Sequence, residues 1–416
     1  MEPSLWKNRS FLLLWMAQVT ANIGDQFYGI ALLWYLLQKT KSASALSLIA
    51  IPEMIAGFLF YLIGGVLADR YSPRTLMVSA DAARIVIVVM VGLMVASGVD
   101  EFSFFLTAQF FIGVFSTLFH PSKTVALKAV VPIEQLSRAN AILDTTFRTI
   151  RILAPMTIGL LAAVVPIASL FFVNAASYLL SACFVYAIGK ALLNGHAAGG
   201  TRMTAGQYWR DIGSAVRELT HNRLLFYILL FSNMGFIVWQ VCWSVGLPVL
   251  ADTMGKGDAG MLGVLVGCYG AGNLLGSLYM ARLTYHRHLF VILMGWLIQS
   301  AGFISMALSQ EVAWIVYLSA AIAGVGGPLI GIPTVTAIQT KVADSNTGKV
   351  YALNMLLFTF FSVMSSSMGA LWLGSWAVHH LFLVSGLFLA AMIAFGLFLE
   401  RKERQQHHQQ SQLPSV

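Results

Sequence analysis

Long apolar runs alternate with short polar connections along the whole chain. A helix needs about 20 mostly apolar residues to cross a bilayer. The strict polar–apolar alternation of membrane β-barrel strands is missing from these runs. The pattern predicts an all-α membrane protein with twelve transmembrane helices. The predicted spans are 10–37, 44–68, 75–97, 102–126, 138–164, 167–189, 223–252, 259–283, 288–308, 312–340, 346–374 and 376–399.

Composition supports a lipid environment. Of the 416 residues, 58% are hydrophobic and only 10% are charged, whereas a soluble domain carries about 25% charge. So few charges cannot cover a folded surface in water, which excludes a soluble enzyme. The 25 Lys and Arg are dispersed singly, without the basic stripe of a nucleic-acid binder. Cys183, Cys242 and Cys268 all lie within apolar runs, so we expect no metal site, disulfide or cofactor.

The positions of the basic residues predict the orientation. Most Lys and Arg lie on one side of the predicted helices, and positively charged loops stay in the cytoplasm. Both termini are therefore expected in the cytoplasm, which agrees with an even number of crossings. The predicted domains are an N-terminal six-helix bundle (1–189), a cytoplasmic linker (190–222), a C-terminal six-helix bundle (223–400) and a cytoplasmic tail (401–416).

The linker contains a stretch with helical spacing of apolar residues that begins near Thr204. An amphipathic helix on the membrane surface and a plain linker helix both fit this pattern.

An internal repeat supports two similar halves. Gly65 matches Gly276, Gly113 matches Gly324 and Ala141 matches Ala352, all at one constant offset along the chain. Two six-helix bundles related by an axis along the membrane normal resemble the architecture of the major facilitator superfamily.

The connection between the second and third predicted helices reads GGVLADRYSPR at residues 64–74. It resembles the Gly-x-x-x-Asp-Arg-x-x-Arg/Lys signature of that superfamily. A small residue allows close helix approach, and an acid at a helix end can accept from the N-terminus of predicted helix 11. A plain charged loop would explain the arginines but not the Gly–Asp spacing. The resemblance implies a cytoplasmic gate that consists of Gly65, Asp69, Arg70 and Arg74, braced by Asp81 and Arg84.

Further stretches narrow the resemblance. The runs at 22–36, 119–143 and 338–353 resemble drug:proton antiporters of the branch that includes macrolide efflux proteins and the enterobactin exporter. Residues 154–159, Ala-Pro-Met-Thr-Ile-Gly, resemble the helix-5 antiporter motif Gly-Pro-x-x-x-Gly through Pro155 and Gly159. Ala154 replaces the first glycine, which makes close packing there less secure.

Two carboxylates are candidates for energy coupling. The chain has no glycine-rich phosphate loop, so an ion gradient or passive equilibration must drive transport. Asp25 lies roughly 22 Å along the first predicted helix, and Glu53 roughly 14 Å along the second. Because ionisable groups at such depth are costly, we expect both to carry exchangeable protons. Glu53 could also be close enough to the outer surface to be solvated.

Predicted helix 5 carries Asp144, Arg148 and Arg151 on one face. The two arginines could neutralise the coupling carboxylates or contact an anionic substrate. Asp144 and Arg148 could also form a simple intrahelical pair.

The C-terminal half has no carboxylate deep within a predicted span, so its expected role is substrate recognition. Aromatic and amide side chains suit a largely apolar cargo, although any single Trp could face lipid instead. With the two arginines, the predicted cavity residues are Asn22, Arg148, Arg151, Asn233, Trp239, Gln240, Trp243, Gln339 and Asn354.

The predicted function is proton-coupled export of small organic molecules, either drugs such as macrolides or a siderophore. A lysophospholipid flippase is the alternative, since the Gly24–Asp25 pair resembles those proteins too. A nontransporting sensor would leave the gate motif and buried charges without purpose, and no catalytic constellation predicts an enzyme. The expected location is the bacterial cytoplasmic (inner) membrane, and the superfamily resemblance implies a monomer.

Overall fold

The computed structural model describes residues 5–40, 48–49, 51–98, 101–161, 165–189, 205–255, 259–309, 311–372 and 377–411. Across these ranges the regular secondary structure is helical, and none of them forms a strand. The helices are α1 (Arg9–Thr40), α2 (Ile51–Arg70), α3 (Pro73–Ala96), α4 (Phe102–Val130), α5 (Leu136–Leu161), α6 (Ile167–Ala187), α7 (Ala205–His221), α8 (Arg223–Met234), α9 (Phe236–Val241), α10 (Leu247–Gly255), α11 (Ala259–Met280), α12 (His288–Leu308), α13 (Ala313–Lys341), α14 (Thr347–Trp372) and α15 (Val378–Ser411).

Within the described residues, ten helical segments are long and apolar enough to cross a membrane. The helical membrane fold is therefore confirmed, while the number twelve stays a prediction. α1 and α5 are outside the set of ten, and four ionisable residues lie along α5. They are Arg138, Asp144, Arg148 and Arg151.

The chain divides into two compact units. Unit 1 comprises Met1–Ala139, Thr146–Arg217 and Ile338–Leu356, and unit 2 comprises Asn140–Thr145, Glu218–Ala337 and Leu357–Val416. The start of α14 thus belongs with the N-terminal helices, and a short piece of α5 belongs with the C-terminal helices. The predicted division at the linker into two six-helix bundles stays a prediction.

Glycines allow close helix packing in unit 1, where α2 packs on α4 and α6 packs on both α1 and α3. A Cβ atom at Gly64 would overlap the Thr117 carbonyl of α4. A Cβ atom at Gly113 would lie 3.0 Å from the Glu53 Cα atom of α2. Without a hydrophobic force between helices in lipid, such backbone approach supplies the van der Waals contact.

Unit 2 uses glycines in the same way. A Cβ atom at Gly276 of α11 would lie 2.6 Å from the Val325 carbonyl oxygen of α13. A Cβ atom at Gly324 of α13 would overlap the Tyr269 carbonyl of α11. Gly276 and Gly324 are the repeat partners of Gly65 and Gly113, and Gly113 likewise lies at a close contact between two helices of its own unit.

The segment predicted as one span at 223–252 is interrupted. α8 ends at Met234, α9 follows Gly235, and a π-helical turn, Cys242–Gly246, joins α9 to α10. The Trp296 indole occupies the space beside Gly235, and its Nε1 donates to the Phe231 carbonyl at 2.8 Å. The Ser365 hydroxyl accepts from the Val241 backbone N–H at 2.9 Å. Side chains thus pair with backbone groups at the interruption, as a membrane interior requires.

The ends of two predicted elements can be compared with the structure. The linker helix is confirmed as α7, and residues 190–204 lie outside the described part of the chain. The last predicted span, 376–399, corresponds to an apolar segment at Val378–Lys402, and α15 itself continues to Ser411. Its final turns are rich in Glu, Arg, Lys and Gln, which are good helix formers in water.

The close approach of α11 to α13 predicts that alanine lowers stability at one glycine of α11 and not at another. Gly272→Ala should lower the thermal unfolding midpoint in detergent, because its methyl group would overlap the Ala321 carbonyl. Gly267→Ala is the matched control: no atom lies within 4 Å of its added methyl, and alanine is the better helix former. Equal midpoints for the two variants would contradict the packing described here.

Candidate functional site

Five polar side chains of unit 1 form a connected group inside the helices, which we call the Asp25 cluster. The Tyr178 hydroxyl of α6 donates to the Asp25 carboxylate of α1 at 2.5 Å. Asp81 and Arg84 of α3 form an ion pair, and the Ser181 hydroxyl of α6 donates to Asp81 at 2.8 Å. Three helices therefore contribute to one group of charges.

Local sequence explains how α1 reaches α6. Gly24 has no side chain, and a Cβ atom there would overlap the Ser177 side chain and the Asn174 amide oxygen. The Ser177 hydroxyl also donates to the Asn174 carbonyl at 2.7 Å, so it does not block the approach. The close contact at Gly24 brings the next residue, Asp25, within reach of Tyr178.

Arg84 is the central cation of the Asp25 cluster. Its side chain is 3% exposed and that of Asp81 is 0% exposed. The guanidinium lies 4.3 Å from the Tyr178 ring centroid and 4.6 Å from that of Phe119 in α4. It is also the cation that interacts electrostatically with Asp25. Loss of one partner from a buried ion pair costs about 3–5 kcal/mol, so the pair resists disruption.

Glu53 lies in the first turn of α2, and its side chain is exposed. Its backbone packs on Gly113 of α4. Its carboxylate interacts electrostatically with both Asp25 and Arg84. The structure therefore places the two predicted coupling carboxylates within electrostatic range of each other and of one arginine.

The predicted arginines of α5 have different environments. The Arg148 side chain is partly buried and that of Arg151 is exposed. Sequence reasoning did not place Arg84 near Asp25, and roles for Arg148 and Arg151 stay predictions. Asp144, one turn before Arg148, accepts from the Ser277 hydroxyl of α11 at 2.5 Å.

The predicted gate residue Asp69 contacts the start of α14. Its Oδ1 accepts from the Gly348 N–H at 2.6 Å and its Oδ2 from the Lys349 N–H at 2.9 Å. These N–H groups lie in the first turn of α14, where backbone donors have no partner within the helix. A Cβ atom at Gly65 would lie 2.6 Å from the Cβ of Ala352, so this glycine permits the approach.

The linker helix α7 contacts the same region of unit 1. Arg70 forms an ion pair with Asp211 of α7. The Ser214 hydroxyl of α7 donates to the Asn346 amide oxygen at 3.0 Å, just before α14 begins. α7 therefore connects the end of α2 to the start of α14, a role that the two sequence interpretations of this helix did not include.

The other predicted gate residues lie in two places. Arg74 donates to the Tyr186 carbonyl, and its guanidinium lies 4.2 Å from the Tyr186 ring centroid. Asp81 and Arg84 belong to the Asp25 cluster, as described above. Their predicted bracing of the gate stays a prediction.

Lys128 at the end of α4 adds a further contact to the start of α14. Its ammonium donates to the Val342 carbonyl at 2.6 Å and to the Thr347 hydroxyl at 3.0 Å. It also pairs with Asp344 at 2.9 Å. Lys128 and the predicted cavity residue Gln339 line a cavity of about 160 Å³ at this place.

Unit 2 contains a group of rings that we call the aromatic cluster: Phe236, Trp239, Trp243 and Tyr269. The two tryptophans stack with centroids 5.6 Å apart and an angle of 6° between their planes. The Tyr269 ring lies 4.5 Å from Trp243, and its hydroxyl accepts from Trp239 Nε1 at 3.0 Å. Phe236 packs edge-on against Trp239 at 5.4 Å. The cluster lies along the interrupted crossing and α11.

A family model described as transmembrane secretion effector, within the major facilitator superfamily, matches residues 4–415. The chain belongs to this family. The family's members are membrane transporters and not enzymes, so this transporter is a multi-pass membrane protein. It is 23% identical over 390 residues to macrolide efflux protein A of Streptococcus pyogenes, covering 92% of this chain and 93% of that protein. It is 25% identical over 405 residues to the transporter YfiS of Bacillus subtilis, covering 94% and 93% respectively.

Solved structures show the same fold. A bacterial homologue of the iron transporter ferroportin, in an outward-facing state, has a TM-score of 0.73 at 15% identity and covers 93% of this transporter and 99% of that chain. The Escherichia coli fucose:proton symporter has a TM-score of 0.68 at 14% identity, with 93% and 98% covered. The match of the family model confirms the resemblance to the superfamily predicted from the sequence.

The remaining predicted residues of the transporter are dispersed. Asn233 is buried and donates to the Leu229 carbonyl at 2.8 Å, and Gln339 donates to the Thr124 carbonyl at 3.2 Å. Asn354 is buried, whereas Asn22 and Gln240 are partly buried. Pro155 and Gly159 lie within α5, and their surroundings are outside the described part.

Sequence reasoning missed Tyr178, Phe119 and Tyr269, which all contact predicted residues. For Tyr178 a signal existed: Asn174, Ser177 and Ser181 place polar groups on one face of an otherwise apolar α6. A polar face inside a membrane helix indicates a functional contact. Phe119 and Tyr269 lie among many other aromatic residues and carry no such signal.

The Asp69 contact predicts that the start of α14 separates from α2 when the charge is removed. In a background lacking the three native cysteines, Val350→Cys, which is buried, reports access of a water-soluble maleimide in detergent. Asp69→Asn should raise its labelling rate by about tenfold, since hydrogen bonds to a charged group contribute about 1.5–3 kcal/mol.

The matched control is Glu134→Gln, an exposed acid between α4 and α5 that should leave the labelling rate of Val350→Cys unchanged. An unchanged rate in Asp69→Asn would mean that the contact does not hold α14.

Proposed function

We propose that this transporter exports small organic molecules, such as macrolides or a siderophore, by proton antiport with alternating access. The observation that carries the proposal is the Asp25 cluster, a carboxylate linked to a buried ion pair within membrane helices. Ionisable groups in such places are costly, and an exporter that exchanges protons has a use for them. Similarity to macrolide efflux protein A supports the export direction and a drug-like cargo.

Asp25 and Glu53 are the proposed proton carriers. Each carboxylate becomes neutral when it binds a proton, which removes the cost of holding that charge in an apolar environment. The two carboxylates repel each other electrostatically, so proton binding at one favours the ionised form of the other. Proton binding from outside and release inside would then drive the exchange of conformations.

The contacts of Asp69, Arg70 and Lys128 with the start of α14 and with α7 are the proposed gate. Asp69 accepts from backbone N–H groups at the start of α14, Lys128 donates to the Val342 carbonyl just before it, and Arg70 pairs with Asp211 of α7. Such contacts are short and directional, so they can break and re-form as a group. In the proposed cycle they close the cytoplasmic side while the cavity opens outward.

The aromatic cluster is the proposed recognition surface. Stacked indoles offer a large apolar surface, which suits a broad, largely apolar cargo. Arg148 and Arg151, if they contact the cargo as predicted, would add affinity for its anionic groups. We also propose that both termini lie in the cytoplasm, that the membrane is the bacterial inner membrane and that the protein is a monomer.

The proposal is tested in proteoliposomes with an imposed pH gradient, using a macrolide, a catecholate siderophore and a lysophospholipid as cargo. Wild-type protein should move the macrolide or the siderophore against its gradient only when protons can flow the opposite way. Asp25→Asn should abolish this uphill transport, because an amide cannot exchange a proton, but should preserve downhill exchange. Glu101→Gln, an exposed acid before α4, is the control that should retain transport.

Gradient-driven transport by Asp25→Asn at the wild-type rate would contradict the coupling proposal. Movement of the lysophospholipid alone would favour the flippase alternative.

A second experiment tests recognition. Trp243→Ala should raise the cargo concentration for half-maximal transport by roughly tenfold, since an aromatic contact contributes about 0.5–1.5 kcal/mol beyond its buried area. Trp314→Ala is the matched control because Trp314 is 65% exposed at the start of α13. If both variants keep the wild-type value, the aromatic cluster does not bind cargo.

A further inference from the structure

The Asp25 cluster has an imbalance of charge. It contains two carboxylates, Asp25 and Asp81, and one guanidinium, Arg84, which stays protonated under all ordinary conditions. Arg84 and Asp81 form an ion pair, so the charge of Asp81 is balanced. When Asp25 is ionised the cluster carries one net negative charge, and one proton makes it neutral.

Tyr178 lies between the two charged parts of the cluster. Its hydroxyl donates to Asp25, and its ring face lies 4.3 Å from the Arg84 guanidinium. The Phe119 ring lies 4.6 Å from the same guanidinium. Two aromatic rings and Asp81 therefore contact Arg84, and Tyr178 connects it to Asp25.

We infer that Arg84 is the fixed counter-charge of the proton site and that Tyr178 is the positioning residue that links Arg84 to Asp25. The inference rests on the proposed proton antiport and names residues for it beyond the two carboxylates. The arginine that sets the charge of the site is thus on α3.

The step itself is a simple proton transfer. A proton from water binds a carboxylate oxygen of Asp25, no other covalent bond changes, and the negative charge of the cluster disappears. The Tyr178 hydroxyl then faces a neutral acid in place of a carboxylate, so its charge-assisted hydrogen bond weakens. α1 is thereby held less tightly to α6 in the protonated state.

Other charged groups also act on Asp25. Glu53 of α2 and Asp81 of α3 carry like charges that repel its carboxylate, whereas Arg84 of α3 attracts it and the Tyr178 hydroxyl of α6 donates to it. Opposite changes to Arg84 and Asp81 should therefore move proton binding in opposite directions. A residue that only supports the fold would not produce this opposition.

The experiment is an infrared pH titration of purified protein in nanodiscs, which follows the protonated-carboxyl band that Asp25→Asn removes. Arg84→Gln should move the midpoint of this band up by about one pH unit, because the nearby cation is gone. Asp81→Asn should move the midpoint down, because Arg84 is then unbalanced beside Asp25. Arg84→Lys should restore most of the wild-type midpoint.

Tyr178→Phe keeps the ring against Arg84 and removes only the hydroxyl, so its midpoint should rise while the protein stays folded. Its matched control is Tyr28→Phe, one turn along α1 from Asp25. The buried Tyr28 hydroxyl donates to Gln109 at 2.7 Å, so this control loses a buried hydrogen bond of a similar kind. It should leave the midpoint unchanged.

Midpoints that stay at the wild-type value in Tyr178→Phe and in Arg84→Gln would overturn the inference, as would shifts of Arg84→Gln and Asp81→Asn in the same direction. If Arg84→Gln does not fold, Tyr178→Phe and Asp81→Asn decide the outcome alone. Proton antiport is judged separately, by gradient-driven transport in Asp25→Asn. Loss of that transport with unmoved midpoints would refute the role of Arg84 and Tyr178 but leave antiport standing.

Discussion

The cost of leaving a charge unpaired in hydrocarbon is the constraint on which the rest of this transporter depends. Only 10% of its residues are charged, and three of those in unit 1, Asp25, Asp81 and Arg84, belong to one cluster. Arg84 pairs with Asp81 and contacts two aromatic rings, while Asp25 accepts from Tyr178. Because the cluster remains one positive charge short, its charge state depends on a proton, which connects the physics of burial to the proposed coupling.

The same constraint acts on the backbone. Where the helix is interrupted near Gly235, the Trp296 indole and the Ser365 hydroxyl pair with carbonyl and N–H groups. At the start of α14, Asp69 accepts from N–H groups that no helical turn can pair. The interruption and the helix end thus both depend on side chains from other helices as hydrogen-bond partners.

The two candidate sites differ in how far they could be predicted. The contact of Asp69 with the eleventh predicted helix followed from a short motif. The Gly–Asp spacing is a local property of the sequence, and the first N–H groups of any helix attract an acidic side chain. The counter-charge of Asp25 was different. Depth along a helix selected Asp25 as a candidate. The same reasoning favoured Arg148 and Arg151 at a similar depth, because depth does not determine which helices are neighbours.

The sequence by itself determined the helical membrane class, most of the spans, the internal repeat and the superfamily, because apolar length and short motifs are properties of contiguous residues. Only the tertiary structure decided that Arg84 and Tyr178 accompany Asp25, that α7 joins α2 to α14 and that a π-helical turn follows α9. Each of these depends on side chains from helices far apart in the chain. Apolar helices present many faces of nearly equal hydrophobicity, so the sequence pattern alone cannot show which faces meet.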